Sequence, residues 1–375
     1  MQDQVIERPG AISDTQYGRA VTQLRAALGA DGVIEDTAAR APFRDPFAPA
    51  GQEWYEPGVV LMPTSVEEVQ AVLRIANEHK TPIWTSGQGR NNGYGGASPR
   101  VSGSFVMSMK RMNRILEVDP VSATALIEPG VRFFDLYDHL REHAPHLWMS
   151  VPDLGWGSII GNTLDHGMGY TPFGDHVSSQ CGMEVVLANG DVLRTGMGGM
   201  STSRSWQVYK RGCGPSFDGL FMQSNYGVVT KMGQWLMPAP ECYMPGWLQL
   251  KKDSDLEILL ERLRPLMMDG TIANQPMIIN AVCAMSAFTQ RDAWFTGDGP
   301  MPQAIIDDIA SQPMLGAWVM RFALYGDEQV VARQRQIVED ALGTIPGATL
   351  NFAKYDGRNL PEFENPHERV QAGVP

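Results

Sequence analysis

The sequence predicts an α+β protein of two domains, on three observations. Short β-branched runs alternate with glycine-bearing loops between residues 58 and 240, the pair Pro238 and Pro240 then breaks the chain, and longer helical stretches rich in Leu, Glu and Arg follow. With 375 residues, 43% of them hydrophobic, the chain has apolar side chains enough for two cores.

The first element is a helix over 14–28, followed to residue 57 by an irregular arm punctuated by Pro42, Pro46, Pro49 and Pro57. A strand over 58–62, a helix over 66–79 and a strand over 82–85 form a βαβ unit. Its helix has a start signal, the capping-box spacing of Thr64-Ser65-Val66-Glu67, and an apolar stripe of Val66, Val69, Val72, Leu73 and Ala76. Strands at 105–109, 123–128, 183–187, 192–195 and 227–231 and a helix at 134–143 complete the domain that ends at 240. Past the proline pair, helices over 254–268 and 328–342 pack with strands at 247–250, 277–283 and 318–324. Residues 355–375 are polar and proline-punctuated with no closing element, so the tail is expected to be a loose end or the chain to be incomplete. The expected divisions are 1–57, 58–240 and 241–375.

A formal net charge of -12 argues against a nucleic-acid partner, which needs a basic face to neutralise phosphates, and offers no attraction to an anionic membrane. No apolar run reaches the roughly eighteen residues of a membrane span, and the N-terminal MQDQVIERPG lacks the basic and apolar parts of a secretory signal. A cytoplasmic protein is the expectation. Cys181, Cys213, Cys242 and Cys283 form no C-x-x-C pair and read as isolated thiols. His139 and His143 lie four apart on a helical run, but H-L-R-E-H is not H-E-x-x-H and no carboxylate motif completes a site, so no metal is expected.

The chemistry concentrates in two glycine-rich stretches. Residues 85–100, TSGQGRNNGYGGASPR, leave a strand end and hold five glycines, whose freedom lets backbone N–H groups converge on an anion such as a diphosphate. The Rossmann fingerprint does not fit, because Gly87-Gln88-Gly89-Arg90-Asn91-Asn92-Gly93 is one residue too long and no helix follows; no G-K-[ST] closes a Walker A loop either. Residues 151–176, VPDLGWGSIIGNTLDHGMGYTPFGDH, hold six more glycines. Two such loops in one domain, both with tyrosines and polar side chains, point to a large cofactor with a diphosphate, a ribityl chain and a heteroaromatic ring.

On these loops, and on MNRILEV (112–118), EPGV (128–131), GNTLD (161–165), GYTP (169–172), MEVVL (183–187), RTGMG (194–198) and QSNYGVVTK (223–231), the chain resembles the vanillyl-alcohol oxidase and p-cresol methylhydroxylase family. The resemblance runs in order, with matching spacing, from about residue 15 to the end. It implies a two-lobed FAD-binding domain over 58–240, an α+β cap (substrate) domain over 241–375, and oxidation of para-substituted phenols such as eugenol, vanillyl alcohol or 4-alkylphenols. It implies that Ser86, Gly87, Gln88, Gly89, Arg90, Asn91 and Asn92 cradle the diphosphate, while Pro152, Ser158, Gly161, Asn162, Gly169, Glu184 and Val229 surround the rest of FAD. Tyr94 matches a phenolate-binding tyrosine, Asp153 matches an acid/base aspartate beside the flavin, and Tyr170 of the same loop is a further catalytic candidate.

The chemistry of that family can be reasoned physically. Hydride leaves a benzylic carbon more easily when the para oxygen is a phenolate, and a quinone methide remains. A phenol titrates near ~10, so the site must stabilise its anion by a few pK units, each worth about 1.4 kcal/mol. Hydroxyl and guanidinium donors aimed at that oxygen do this. Asp153 then serves proton transfer to the quinone methide or from incoming water, and burial beside the flavin is expected to raise its pKa.

The likeness is uneven. Asp153 favours the oxidases, whereas residues 183–197 and 232–238 look more like the p-cresol enzyme, whose flavoprotein passes electrons to a cytochrome. Oxidase and cytochrome c-linked dehydrogenase therefore both stand, the second with a periplasmic location. His166 replaces an arginine or similar residue common between the two loops. Family members continue past residue 375 with the covalent flavin-attachment residue, a second phenolate tyrosine and an arginine, so the resemblance implies a C-terminally truncated member, with an inactive FAD-binding fragment as an alternative. A sugar- or lactone-oxidising flavoenzyme is a third reading, and homo-oligomers are implied in the family.

Overall fold

The computed structural model describes residues 12–47, 55–91, 94–212 and 214–375. Expectations at the N-terminal decapeptide, Pro49, Asn92 and Cys213 lie outside the described residues.

The helix Asp14–Leu28 starts at Ser13, whose side chain accepts the Gln16 N–H, and buries Tyr17, Ala20, Val21, Leu24 and Leu28. That face lies on the helix Val66–His79, which buries Val69, Val72 and Ala76. The capping box of this second helix falls one residue later than its spacing predicts. Ser65 accepts the Glu68 N–H at 3.2 Å and the Glu68 carboxylate accepts the Thr64 N–H at 2.6 Å. The reason is that the third helical position, where the reciprocal acceptor sits, is Glu68 and not Glu67.

The strands flanking that helix, Val59–Leu61 and Ile83–Ser86, are not neighbours. Phe105–Ser108 runs parallel to both and lies between them, with Phe105 in register with Val59 on one side and Ile83 on the other. Phe105, Val106 and Met107 are fully buried, which suits a central parallel strand covered on both faces. Val33–Ile34 closes one edge antiparallel. Ser86 thus ends a parallel strand, and the glycine loop leaves from its carboxyl end, where such sheets bind ligands.

A second, antiparallel sheet follows in the order Ile115–Asp119, Thr124–Ile127, Gly227–Trp235, Gln180–Leu187 and Val192–Arg194. Its side chains alternate between two cores. Met183 and Val185 join Phe133, Leu136 and Leu140 of the helix Phe133–His143, while Val186 and Val228 join the core beneath the first lobe.

The proline pair marks a short ribbon in which Met237–Pro238 pairs with Leu147–Trp148. Beyond it lies an antiparallel sheet in the order Met277–Asn280, Trp318–Gly326, Cys242–Leu250 and Thr349–Phe352, packed on the helices Leu256–Met268 and Glu328–Leu342. Met320, Phe322 and Leu324 face these helices. Ala323 and Tyr325 face the opposite way, toward Trp148 and Tyr243.

Two expectations are corrected here. The strand predicted over 277–283 stops at Asn280, because the Asn280 side chain accepts the Cys283 N–H at 2.8 Å and caps a helix, Ala281–Ser286. The tail is no loose end: Tyr355–Asp356 pairs with Cys242 and Tyr243, and the helix Pro366–Gln371 is pinned by the Tyr243 hydroxyl donating to the Glu368 carbonyl (2.6 Å) and the Tyr325 hydroxyl donating to the Gln371 carbonyl (2.8 Å). The tail reads as polar because its anchoring hydroxyls belong to other strands. Cys181, Cys242 and Cys283 are free thiols. His139 and His143 meet edge to face with ring centroids 4.5 Å apart, and among the described residues no cluster of three or more His, Cys, Asp or Glu converges on a metal position. Among those residues no helix is long and apolar enough to cross a membrane.

Candidate cofactor and active site

The two glycine-rich loops meet. Ser158 caps the short helix Ile159–Leu164 by accepting the Gly161 N–H at 2.9 Å, and donates its own hydroxyl to the Pro129 carbonyl at 2.6 Å. This places Ser158 against Gly87 so tightly that a Cβ at 87 would stand 2.6 Å from the Ser158 side chain. Gln88 reaches the same seam, donating to the Gly130 carbonyl at 2.6 Å, and Asn91 donates to Asp165 at 3.5 Å. Gly89, at φ 62°, turns the first loop in the left-handed region that glycine tolerates best. The far limb of that loop is fastened by the N-terminal arm: Asp45 accepts the Gly95 N–H at 2.8 Å, and Ser98 donates to the Tyr55 carbonyl at 2.9 Å.

The loop is electropositive in a particular way. The charge of Arg90 reaches Lys110, whose ammonium lies 4.9 Å above the Phe43 ring; burial first, and Arg90 second, push the Lys110 pKa down. Among the described residues neither cation meets a carboxylate. Ser86 Oγ is buried without a partner at the strand end. Two like charges and an orphaned hydroxyl beside a glycine loop suit an anion bearing several oxygens.

A second cluster forms where the loop starting at Val151 meets the cap sheet. The Tyr170 hydroxyl donates to Asp153 Oδ2, and Arg321 Nη2 donates to both Asp153 oxygens at 3.1 and 3.3 Å. The Arg321 guanidinium lies 4.2 Å over the Tyr170 ring and also meets His367 Nδ1. Arg321 is 4% exposed, while the Asp153 side chain is 58% exposed. The carboxylate is therefore no buried group, contrary to the sequence expectation; the buried member of the pair is the arginine beneath it. Burial, then the hydrogen bond and charge of Asp153, raise the Tyr170 pKa, so its hydroxyl stays protonated as a donor. Burial and the adjacent Arg321 lower His367 to about 4, so it is neutral and free to accept from the guanidinium. His367 stacks on Trp247, which is in register with Arg321.

Sequence reasoning missed Arg321, His367 and Trp247. The available signal was Arg321 itself, a lone cation in the otherwise apolar strand WVMRFALYG, which needs a partner to be buried.

The remaining candidates are dispersed. Tyr94, within the first loop, is 86% exposed. Pro152 adjoins Asp153, and Gly169 precedes Tyr170 with its Cα packed on Ser150 and His176. Val229 is a core side chain of the second sheet. Glu184 lies on that sheet too, 1% exposed, held by Arg194 at 2.8 Å and Lys231 at 2.7 Å. Burial works to raise its pKa, but the hydrogen bonds and charges of Lys231 and Arg194 prevail and lower it. A depressed folded pKa gives stability that is present above the unfolded value and lost as pH falls through the folded one. Glu184→Gln is accordingly expected to cost about 2 kcal/mol in denaturant unfolding at neutral pH, discounted for the partly exposed cations. The gap from the parent should close as pH drops below the ordinary value of 4.5.

A family model described as an FAD binding domain matches residues 57–196. The chain is 42% identical over 370 residues to the 4-cresol dehydrogenase [hydroxylating] flavoprotein subunit of Pseudomonas putida, covering 98% of this chain and 70% of that protein. The crystal structure of p-cresol methylhydroxylase with substrate bound superposes with a TM-score of 0.92 at 38% identity, and 4-ethylphenol oxidase from Gulosibacter chungangensis with a TM-score of 0.93 at 34%. Each comparison covers 98% of this chain and 72% of the other. The residues present fit FAD: the Arg90 and Lys110 pair and the orphaned Ser86 hydroxyl suit its diphosphate, and the paired glycine loops leave backbone near enough to line an extended molecule.

Proposed function

We propose, from the premise that this chain belongs to the family of the 4-cresol dehydrogenase flavoprotein subunit and p-cresol methylhydroxylase, that it oxidises para-substituted phenols with FAD as its cofactor. The observation that carries the reading is the cluster of Asp153, Tyr170 and Arg321 at the seam between the loop that starts at Val151 and the cap sheet. When bound, FAD supplies the acceptor for a hydride leaving the benzylic carbon.

In this reading Ser86, Gln88, Arg90, Asn91 and Lys110 hold the diphosphate end of the cofactor. Asp153 handles the proton, taking it from a water that adds to the quinone methide, or holding it near the para substituent. Tyr170 and Arg321 orient the Asp153 carboxylate from beneath, one through its hydroxyl and the other through its guanidinium. Arg321 is in turn fixed by neutral His367. Tyr94 is the donor to the phenolate oxygen.

A second reading concerns the electron acceptor. In the structural comparisons, identity of 38% to p-cresol methylhydroxylase against 34% to an oxidase leans toward transfer to a c-type cytochrome over oxygen. The test is anaerobic mixing of the FAD-reconstituted chain with 4-cresol, 4-ethylphenol, eugenol and vanillyl alcohol. At least one is expected to bleach the yellow flavin absorbance; a flavin that stays yellow with all four returns the chain to a cofactor-binding module. Fast reoxidation by cytochrome c and slow reoxidation by oxygen then mark the dehydrogenase.

A further inference from the structure

His176 has no part in the reading above, yet its surroundings are specific. It begins the short helix His176–Ser179 and is 2% exposed. Its Nδ1 lies 2.5 Å from Asn162 Oδ1, and its Nε2 is buried without a partner. Burial lowers its pKa to about 4, so at neutral pH the ring carries one proton. The facing atom decides where: opposite a carboxamide oxygen, Nδ1 is the donor. The other tautomer would put an N–H on Nε2, where no acceptor, Ser150 Oγ included, makes a hydrogen bond, and native interiors avoid that more strongly than a bare lone pair. Ser150 Oγ, a second orphan, sits on the Nε2 side. A Cβ at Gly169 would meet Ser150 Oγ at 2.3 Å and His176 Nε2 at 2.7 Å, so only glycine lets these two groups share that space.

The consequence falls on Asn162. With Oδ1 engaged, its amide cannot rotate without losing that bond, and Gly167 packs directly on it, a Cβ there standing 2.2 Å from Oδ1. Nδ2, with two N–H groups, has no protein partner among the described residues, and Asn162 is only half-buried in the second glycine loop. An asparagine free to flip offers a ligand either a donor or an acceptor. This one offers donors only.

We propose that His176 is a positioning residue that fixes the Asn162 carboxamide as an obligate hydrogen-bond donor to an acceptor atom of the cofactor, an inference that rests on that cofactor being FAD. Flavin carbonyl oxygens, ribityl hydroxyls and phosphate oxygens are all acceptors. A donor held at a flavin carbonyl favours the reduced, more electron-rich ring and raises its potential.

Two isosteric variants separate this role from simple packing. Asparagine at 176 carries an amide nitrogen close to the Nδ1 position, whereas glutamine reaches the Nε2 position. His176→Asn is expected to bind FAD within about threefold of the parent, His176→Gln about tenfold more weakly, the equivalent of one hydrogen bond. The flavin potential of His176→Gln should also be lower, with both variant apoproteins unfolding at similar denaturant concentrations. Asn162→Asp keeps the acceptor for His176 and removes the donor. It should weaken FAD binding at least as much as His176→Gln, and it does not depend on the buried helix start tolerating a change. Equal FAD affinity and potential in His176→Asn and His176→Gln, or Asn162→Asp binding FAD like the parent, overturns the proposal while the FAD reading stands. A parent chain that binds no FAD overturns both.

Discussion

Asp153→Asn slows the addition of water to the quinone methide about 10²–10⁴-fold, the range set by losing a positioned proton-transfer group, while the hydride transfer that precedes it changes far less. Decay of the quinone-methide absorbance after stopped-flow mixing with a saturating phenol measures it. The stability change should be small by comparison, about 1–2 kcal/mol, because the Asp153 side chain is 58% exposed and asparagine still accepts from Tyr170 and Arg321. Arg321→Met separates orientation from chemistry. It removes the guanidinium that fixes Asp153 but leaves the carboxylate, so its rate loss should be about tenfold and should come with a larger stability change, since His367 and Tyr170 both lose a buried partner. Water addition in Asp153→Asn within threefold of the parent would remove Asp153 from the chemistry.

Gly130→Ala is expected to cost about 3 kcal/mol and to loosen FAD binding together with it. A Cβ at 130 would stand 2.7 Å from three backbone carbonyls at once, those of Met109, Lys110 and Met112. Backbone cannot yield as a side-chain tip can, so the turn from Met109 to Met112 must shift. Gly130 also donates to the Met112 carbonyl at 2.6 Å and accepts from Gln88. The displacement therefore passes to Lys110 on one side and to the first glycine loop on the other. Chemical unfolding and flavin fluorescence on the same variant should move in parallel; a normal FAD affinity in a destabilised protein would uncouple Gly130 from the cofactor loop.

Elements built from local signals were legible in the sequence. Helices Asp14–Leu28, Val66–His79 and Glu328–Leu342 have end-to-end periodicity and polar caps, so their bounds follow from residues a few positions apart. The meeting of the two glycine loops was foreshadowed by composition, since Gly87 and Ser158 sit in the two stretches that stood out. What failed to show depends on register between distant segments. Nothing near Phe105 says that its strand enters between Val59–Leu61 and Ile83–Ser86. Nothing near Asp153 names Arg321, 168 residues away, because the pairing is made by the cap sheet and not by spacing. Asn280 misled for a local reason: β-branched neighbours argued for strand, and a side-chain cap prevailed.

The strand Trp318–Gly326 carries two separate messages by parity. Its even positions, Met320, Phe322 and Leu324, are read by the cap's helices, while Arg321, Ala323 and Tyr325 are read by the loop and tail that border the Asp153 cluster. Selection on catalysis or on substrate shape can therefore act on one set while the other keeps the cap folded. A change at an odd position is thus felt at Asp153 and the tail, and a change at an even one in the cap's helices.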